Sequence, residues 1–329
     1  MTAPTASAVG PSVSWQQWLR DRPVIPLLLL LLALVVLLFA VQPGLLGRPQ
    51  GWLASTIRFA TPLAILAACQ TLTMLTGGID LSVATVASAA GFVVATQAPG
   101  QGPLVAVVLA LGVAAVAGLI NGIGVGIFRV QPLIMTLGTG LVVAGSLVVY
   151  QRYVITVGAR VPDVLTWLGG GQSLGFVPNA LLALIPIALV VIVGLRRTGY
   201  GRLLYAVGDN PVASRLAGVR LWAVLLVVYL ISGILAGIAG VVLAGSTNTA
   251  APATADSYLL PSVAAAVIGG TSIFGGRGGY AGTIVGAFIL TVLNSLLIVL
   301  RAPEPVRIMV YGAIILIVTT LYARFVSDR

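Results

Sequence analysis

VIPLLLLLLALVVLLFAV, residues Val24–Val41, is an uncharged run of 18 residues directly preceded by Arg20 and Arg22. It is about the length needed to cross a hydrocarbon core as a helix. It is longer than a secretory leader's apolar segment and has no clean small-residue cleavage site, so it reads as a retained first span with a cytoplasmic N-terminus. The rest of the chain agrees: 59% of its 329 residues are hydrophobic and 7% are charged. Further apolar runs separated by polar or Gly/Pro punctuation predict an all-α polytopic membrane protein of about ten transmembrane helices, eight to ten being compatible. The expected crossings lie near 24–41, 53–76, 81–98, 103–127, 132–151, 178–195, 222–245, 258–275, 281–300 and 305–323. Starting inside and alternating, eleven arginines fall on the cytoplasmic side and six outside, the bias that orients membrane proteins. Both termini are then cytoplasmic, in the inner membrane of a bacterial cell.

The charge of +10 consists entirely of arginine lying mainly between spans, so it implies orientation and no nucleic-acid role. Cys69 is the single cysteine, and the chain has neither histidine nor lysine. Disulfides, His-based metal sites, imidazole catalysis and a lysine-bearing phosphate loop are thereby excluded. No metal or cofactor is expected. Residues 1–19 are rich in Ser, Thr, Ala and Pro and read as a disordered cytoplasmic tail, with Trp15 and Trp18 at headgroup level. Residues 20–329 form the transmembrane domain. The longest external segment, about Arg152 to Pro178, reads as a loop with a short surface helix.

Residues 196–220 interrupt this apolar chain with five arginines. Asn210 suits an N-cap, Pro211 the first helical position and Gly218 the left-handed C′ position, which predicts a helix of about two turns. Val212, Ala213, Leu216 and Ala217 fall on one side of it, apart from Arg215. A surface helix in an Arg-rich loop and a docking surface are both compatible with that pattern. Asp80 is an acid near the inner end of a span, where a charge is costly. It either caps the helix that follows or serves gating, and Gly77 and Gly78 permit a break there. Residues 269–282 hold seven glycines, including Gly269, Gly270, Gly275 and Gly276, around Arg277. They form a tight cytoplasmic turn or a broken helix beside a pathway, the turn being favoured. Polar groups inside spans, Gln70, Thr71, Thr73, Asn121, Thr136, Thr139 and Asn294, need a partner on another helix or water in a pathway. Glycine pairs such as Gly118/Gly122 and Gly233/Gly237 allow helices to approach closely. Thr76–Ser82 and Ile268–Gly276 echo one another, and each is trailed by a span bearing one asparagine, Asn121 and Asn294. That raises a possible internal repeat of two halves.

The string from Thr198 to Val219, TGYGRLLYAVGDNPVASRLAGV, resembles the cytoplasmic coupling loop of ribose-type monosaccharide ABC transporter permeases. LTGGIDLSV (75–83), QPLIMTLGTG (131–140) and VIGGTSIFGGRGGYAGTIVGA (267–287) resemble that family's other recurrent segments, in the same order and spacing. The likeness covers roughly residues 53–323. It implies a pore-forming subunit that pairs with a second permease, either the same chain or a paralogue. It further implies a separate cytoplasmic ABC ATPase subunit docked on the 196–220 loop, and a monosaccharide substrate delivered by an extracytoplasmic sugar-binding protein. Carried over to this chain, Val212 and Leu216 would be apolar anchors in a groove of the ATPase, with Arg202 and Arg215 at the polar rim.

The sequence contains no GxxxxGK[ST], so ATP hydrolysis belongs to a partner and the chain reads as a transport subunit and not an enzyme. A pathway for sugar needs weak, uncharged polar lining, which Gln70, Asn121, Thr136 and Asn294 would supply. The alternative is a secondary transporter or channel for a small polar solute working without an ATPase. Such proteins commonly bury ionisable residues for ion coupling, and the spans here offer almost none.

Overall fold

The computed structural model describes residues 24–154, 159–173, 175 and 177–327. The tail expected over 1–19 lies outside them, as do Arg20, Arg22 and Arg329. Helix α1 (Val24–Val41) presents most of its leucines outward and buries only Leu38, which packs beside Val292 and Leu296. Helix α2 (Pro49–Leu75) opens on a proline, where a missing N–H costs nothing, and every residue from Ala60 to Leu75 is buried. A helix apolar all round belongs at the centre of a bundle, and α2 holds that place.

A hairpin follows, α3 (Val83–Gln101) and α4 (Pro103–Gly126), turning at Gly102 with φ of 82°. Helix α5 (Pro132–Val154) leads to the short α6 (Asp163–Gly170) and a two-residue antiparallel pairing of β1 (Gln172–Ser173) with β2 (Val177–Pro178). Helix α6 is more than a surface decoration. It buries Leu165 and Gly169 against α10, with Gly169 facing the Val242–Ser246 backbone. Helix α7 (Leu181–Arg197) bends by 69° into α8 (Gly199–Asp209), and the six-residue α9 (Pro211–Leu216) completes the polar loop. Then come α10 (Leu221–Thr247), α11 (Leu259–Ile268), α12 (Tyr280–Val299) and α13 (Glu304–Ser327).

Among the described residues seven helices are long and apolar enough to cross a membrane, and the bent α7–α8 pair makes an eighth. Two of the ten expected crossings are not among these eight: that near 305–323, which falls within α13, and that near 258–275. The span anticipated near 258–275 is a ten-residue helix, α11, followed by irregular backbone, because the glycines after Ile268 end the helix. At about 1.5 Å per residue it is too short to cross a bilayer.

Helix α10 is the second central element, lying against α2, α3, α4 and α6. Its seam with α4 is built on glycine. A methyl group on Gly118 would sit 2.5 Å from the Tyr229 carbonyl oxygen, one on Gly122 2.8 Å from that of Leu226, and one on Gly126 2.7 Å from that of Trp222. In the reverse direction, Gly233 faces Ala114. Without a hydrophobic driving force between helices in lipid, this close backbone approach is what allows dispersion contacts to hold them together. Several of the polar groups inside spans bond locally: Thr73 bonds the Cys69 carbonyl at 3.0 Å, and Thr71 bonds Ala67 and the Thr283 hydroxyl of α12, the latter at 2.7 Å. Gly233→Leu is therefore expected to lower the thermal unfolding midpoint in detergent, overpacking of this kind costing about 1–3 kcal/mol or more. Gly112→Ala, where nothing stands within 4 Å of the added carbon, should leave it unchanged.

Candidate functional site

The polar loop begins with α8. The Thr198 hydroxyl accepts the Gly201 N–H at 3.0 Å and caps the helix. Gly201, Leu204 and Val207 are buried, and the Tyr200 hydroxyl donates to the Val224 carbonyl of α10 at 2.9 Å. Helix α9 then takes the form its sequence predicts. The Asn210 side chain accepts the Ala213 N–H at 2.9 Å and Pro211 stands at the first helical position. Gly218 adopts φ of 83°, with Val219 N–H bonded to Ser214 O and Gly218 N–H to Arg215 O, both at 3.0 Å. Those two bonds make a Schellman cap. Ser214 is the buried residue of this helix, whereas Val212 is 70% and Leu216 85% exposed. One turn apart on a capped helix, these two side chains share a face directed away from the rest of the chain.

The end of this loop meets two other segments. Leu75 is the last residue of α2, and its carbonyl, without an intrahelical partner, accepts the Gly276 N–H at 3.0 Å. Gly208 lies against the same carbonyl, so close that a Cβ there would overlap it. A carbon added to Gly275 would stand 2.7 Å from the Gly208 oxygen, and one on Gly276 2.9 Å from the Asp209 Cα. The Tyr205 hydroxyl donates to Gly278 O at 2.9 Å. Residues 269–279 are a turn. Gly270, Gly275, Gly276 and Gly278 have positive φ, Ser272 N–H bonds Arg277 O at 2.9 Å, and Arg277 is exposed. Three backbones thus converge, from α8, the α2 terminus and the glycine-rich turn.

Helix α2 ends as α9 does. Gly77 has φ of 79°, and the Gly77 and Gly78 N–H groups bond Met74 O and Thr73 O at 2.9 and 3.1 Å. The same cap closes α11, with Gly270 as the left-handed residue and Thr271 N–H bonded to Ala266 O at 2.9 Å. The two echoing strings therefore share a cap, displaced by one residue from the register in which their sequences align. Beyond α2, Gly78 fits tightly beneath the Tyr229 hydroxyl and Pro132. Asp80 follows, 1% exposed. One carboxylate oxygen accepts the Ser82 N–H at 3.0 Å and the Ser82 hydroxyl at 2.6 Å, and the other accepts the Ser232 hydroxyl at 2.8 Å. The bond to Ser82 N–H is an Asx-turn that leads into α3, whose N-cap residue is Ser82 and not Asp80, so the expected capping role becomes one of anchoring the turn ahead of the helix.

Gln70 holds the Asp80 backbone from both sides, donating to its carbonyl at 2.8 Å and accepting its N–H at 3.3 Å. Thr136 of α5 accepts from Leu81 N–H at 3.0 Å and donates to Ile79 O at 3.2 Å. Asn121 of α4 donates to the Ser82 hydroxyl at 2.9 Å. Five helices, α2 to α5 and α10, meet here. The buried Asn121 Oδ1 and Tyr229 hydroxyl have no partner among the described residues.

Of the residues expected to line a pathway, Gln70, Gly77, Gly78, Asp80, Asn121 and Thr136 gather around this break. Asn294 does not. It stands toward the other end of α12, where it accepts from Arg307 at 3.0 Å. The sequence reading passed over Ser82, Ser232, Tyr229, Tyr205 and Gly208, and over α8 as a helix. A cap at Thr198 followed by Tyr200, Leu203, Leu204 and Val207 at helical spacing would have revealed α8. Nothing in the sequence places Ser232 beside Asp80, 152 positions away. Asp80→Leu leaves three donors without an acceptor, at about 1–3 kcal/mol each. It is expected to destabilise the protein severely in a detergent thermal melt, whereas Asp80→Asn, which keeps an acceptor oxygen, should melt closer to wild type.

Comparison with known proteins places this geometry in a family. The family model described as branched-chain amino acid transport system / permease component matches residues 52–319. The ribose import permease protein RbsC of Escherichia coli (strain K12) is 34% identical over 320 residues, covering 96% of this chain and 97% of that protein. The galactofuranose transporter permease protein YtfT of the same strain is 34% identical over 292 residues, 85% of this chain and 82% of its own. The fructose import permease protein FrcC of Rhizobium meliloti is 32% identical over 290 residues, 85% of this chain and 79% of its own. No solved structure matches. The chain belongs to the branched-chain amino acid transport system / permease component family, and within it is similar to sugar import permeases over nearly its whole length.

Proposed function

We propose that the chain is the transmembrane permease subunit of an ABC importer for a monosaccharide or related small polyol, with alternating access driven by a separate cytoplasmic ATPase. The observation that carries this reading is α9, a helix capped at both ends that holds Val212 and Leu216 out from the protein with no cover among the described residues. Two large apolar side chains on so short a helix favour a partner with a receiving groove. Relatives named for ribose, galactofuranose and fructose import supply the substrate class. The excess of arginine in the 196–220 loop supports a cytoplasmic position for it, and both termini are taken to lie on the same side. A second permease, the same chain or a paralogue, completes the pore, and an extracytoplasmic binding protein delivers the sugar.

In this scheme α9 is the point of force and the Gly208–Leu75–Gly276 junction carries its displacement to the Asp80 break. Coupling needs a rigid link, and backbone pressed on backbone has no rotamers in which to lose the motion. The break itself offers hydroxyl and amide groups without net cationic partners. Gln70, Asp80, Asn121 and Thr136 are buried here, and on opening of the break each would exchange a protein hydrogen bond for one to a neutral solute, which favours weak binding. Asp80 serves here as anchor of the break, tied to Ser82 and Ser232. Specificity is left to the binding protein.

Leu216→Asp is expected to release the ATPase during purification while the permease stays in the membrane, and Arg215→Glu should weaken the association less. Retention of the ATPase by both variants, or sugar uptake into vesicles holding this chain alone, would overturn the docking assignment. The second result would favour a secondary transporter. Gly208→Ala, by contrast, should retain the ATPase yet lose most sugar uptake, since the added methyl must separate α8 from Leu75. Assayed together in proteoliposomes, these variants separate loss of docking from loss of transmission.

A further inference from the structure

Asn294, set apart from the Asp80 break, lines a cavity of about 260 Å³ between α2, α11, α12 and α13. The cavity lies at the end of the bundle away from the 196–220 loop. Helix α12 starts at Tyr280, next to the turn that packs on α8, and Asn294 stands fourteen positions further on, near its other end. The cavity's remaining wall comes from the segment joining α10 to α11. Phe59, Ser257, Tyr258, Glu304 and Arg307 surround Asn294 there.

The chemistry of these walls narrows the ligand. Arg307 is ion-paired with Glu304 and donates through Nη1 to Asn294 Oδ1 at 3.0 Å, so the site has no net charge. An anion would meet Glu304 and a cation Arg307, which leaves neutral ligands. Among the described residues the Nε of Arg307 is buried with no partner and the Asn294 side chain is bonded only through its oxygen, which leaves its N–H groups uncommitted. The Asn294 amide N–H groups, carboxylate and hydroxyl acceptors and the half-exposed ring of Phe59 thus line one small space. Hydroxyl groups, which donate and accept at once, satisfy both sides of such a lining, and an aromatic face accepts the C–H side of a saturated ring. The volume falls just under the roughly 300–1,000 Å³ of sites for drug-sized ligands, which suits one sugar ring.

We propose that this cavity is a receiving site for a single neutral sugar on the face opposite the ATPase loop, with Asn294 and the Arg307–Glu304 pair contacting its hydroxyls. The proposal rests on the reading of the chain as a sugar import permease, and it adds a place where the solute pauses before the Asp80 break.

The test uses the full complex with its ATPase and binding protein in proteoliposomes. Uptake of D-ribose, D-fructose, D-galactose, D-xylose and myo-inositol first identifies the transported compound. In a Cys69→Ala background, Ser257→Cys then places one thiol on the cavity wall, and its modification by a small methanethiosulfonate is timed. The transported sugar, at roughly ten times its dissociation constant, should slow modification about tenfold by simple mass action. Gluconate, an anion of similar size that would meet Glu304, should have no effect. Adding Asn294→Leu should abolish the protection while the ATPase still co-purifies. Uptake with an unchanged modification rate would remove the site and leave the functional reading standing. A rate that follows phospholipid content and ignores sugar would make the cavity a lipid seat, with the same consequence. No uptake of any panel compound with the ATPase bound would remove the reading and the site together.

Discussion

The Leu75 carbonyl is the constraint on which the architecture around the 196–220 loop depends. The last turn of a helix leaves its C=O groups without intrahelical partners, and at membrane depth each must be satisfied by protein. Here the partner is the Gly276 N–H, in a turn 200 residues away, and the approach is possible only because Gly208 carries no side chain where α8 passes over the same atom. One hydrogen bond and one missing methyl therefore fix the position of α8, the register of the glycine-rich turn and the point at which α2 gives way to the break. Substituting any of the three backbones moves the other two.

The break owes its stability to a second economy. A carboxylate in a membrane bundle is expensive, and the usual remedy is a cationic partner. Asp80 has none among the described residues, where the ion pairs are Arg160–Asp163 and Arg307–Glu304. Ser82 and Ser232 supply its hydrogen bonds, and the start of α3 adds the favourable end of a helix dipole. Three donors on two helices bind the carboxylate in a fixed orientation without a long flexible side chain. Gln70 and Thr136 do the same for the backbone on either side of it. The segment from Gly77 to Ser82 is thus irregular in conformation yet nearly fully bonded, which is the condition under which non-helical backbone survives between spans.

What the sequence made legible follows from the range of the interaction involved. Helix α1 could be read from eighteen uncharged residues, and α9 from Asn210, Pro211 and Gly218, because a span and a cap are decided by neighbours in the chain. Helix α8 was hidden by its glycines at 199, 201 and 208, which lower helix propensity and are retained for packing. The expected crossing near 258–275 failed for a related reason: apolar residues continue through Ile273 and Phe274, but Gly270 in the left-handed conformation ends α11 at Ile268. Hydropathy sees the first fact and not the second. The neighbours of Asp80 were the least accessible of all. Gln70 and Thr136 could be listed as polar groups needing partners, but a list of unsatisfied groups does not pair them. Asn121 and Asn294 occupy similar places in two echoing strings, and folding sends one to a serine beside Asp80 and the other to an arginine at the opposite end.

That divergence gives the molecule its polarity. Toward the loop, α9 offers apolar side chains to water and the segments behind it are locked by backbone contacts that tolerate little displacement. Toward the other end, the walls around Asn294 are side chains on separate helices, with a cavity between them and an arginine not fully bonded. Backbone-on-backbone packing transmits displacement because it cannot deform gradually, whereas a side-chain-lined space can open or close through rotamers at small cost. On the proposed function, stiffness belongs where force enters and compliance where the solute arrives. Helices α2 and α12, packed on each other, run from the Leu75–Gly276 junction to the walls around Asn294, and Gln70 of α2 holds the Asp80 backbone on the way. A motion begun at the loop then has one unyielding path toward the compliant end, and that path runs past Asp80.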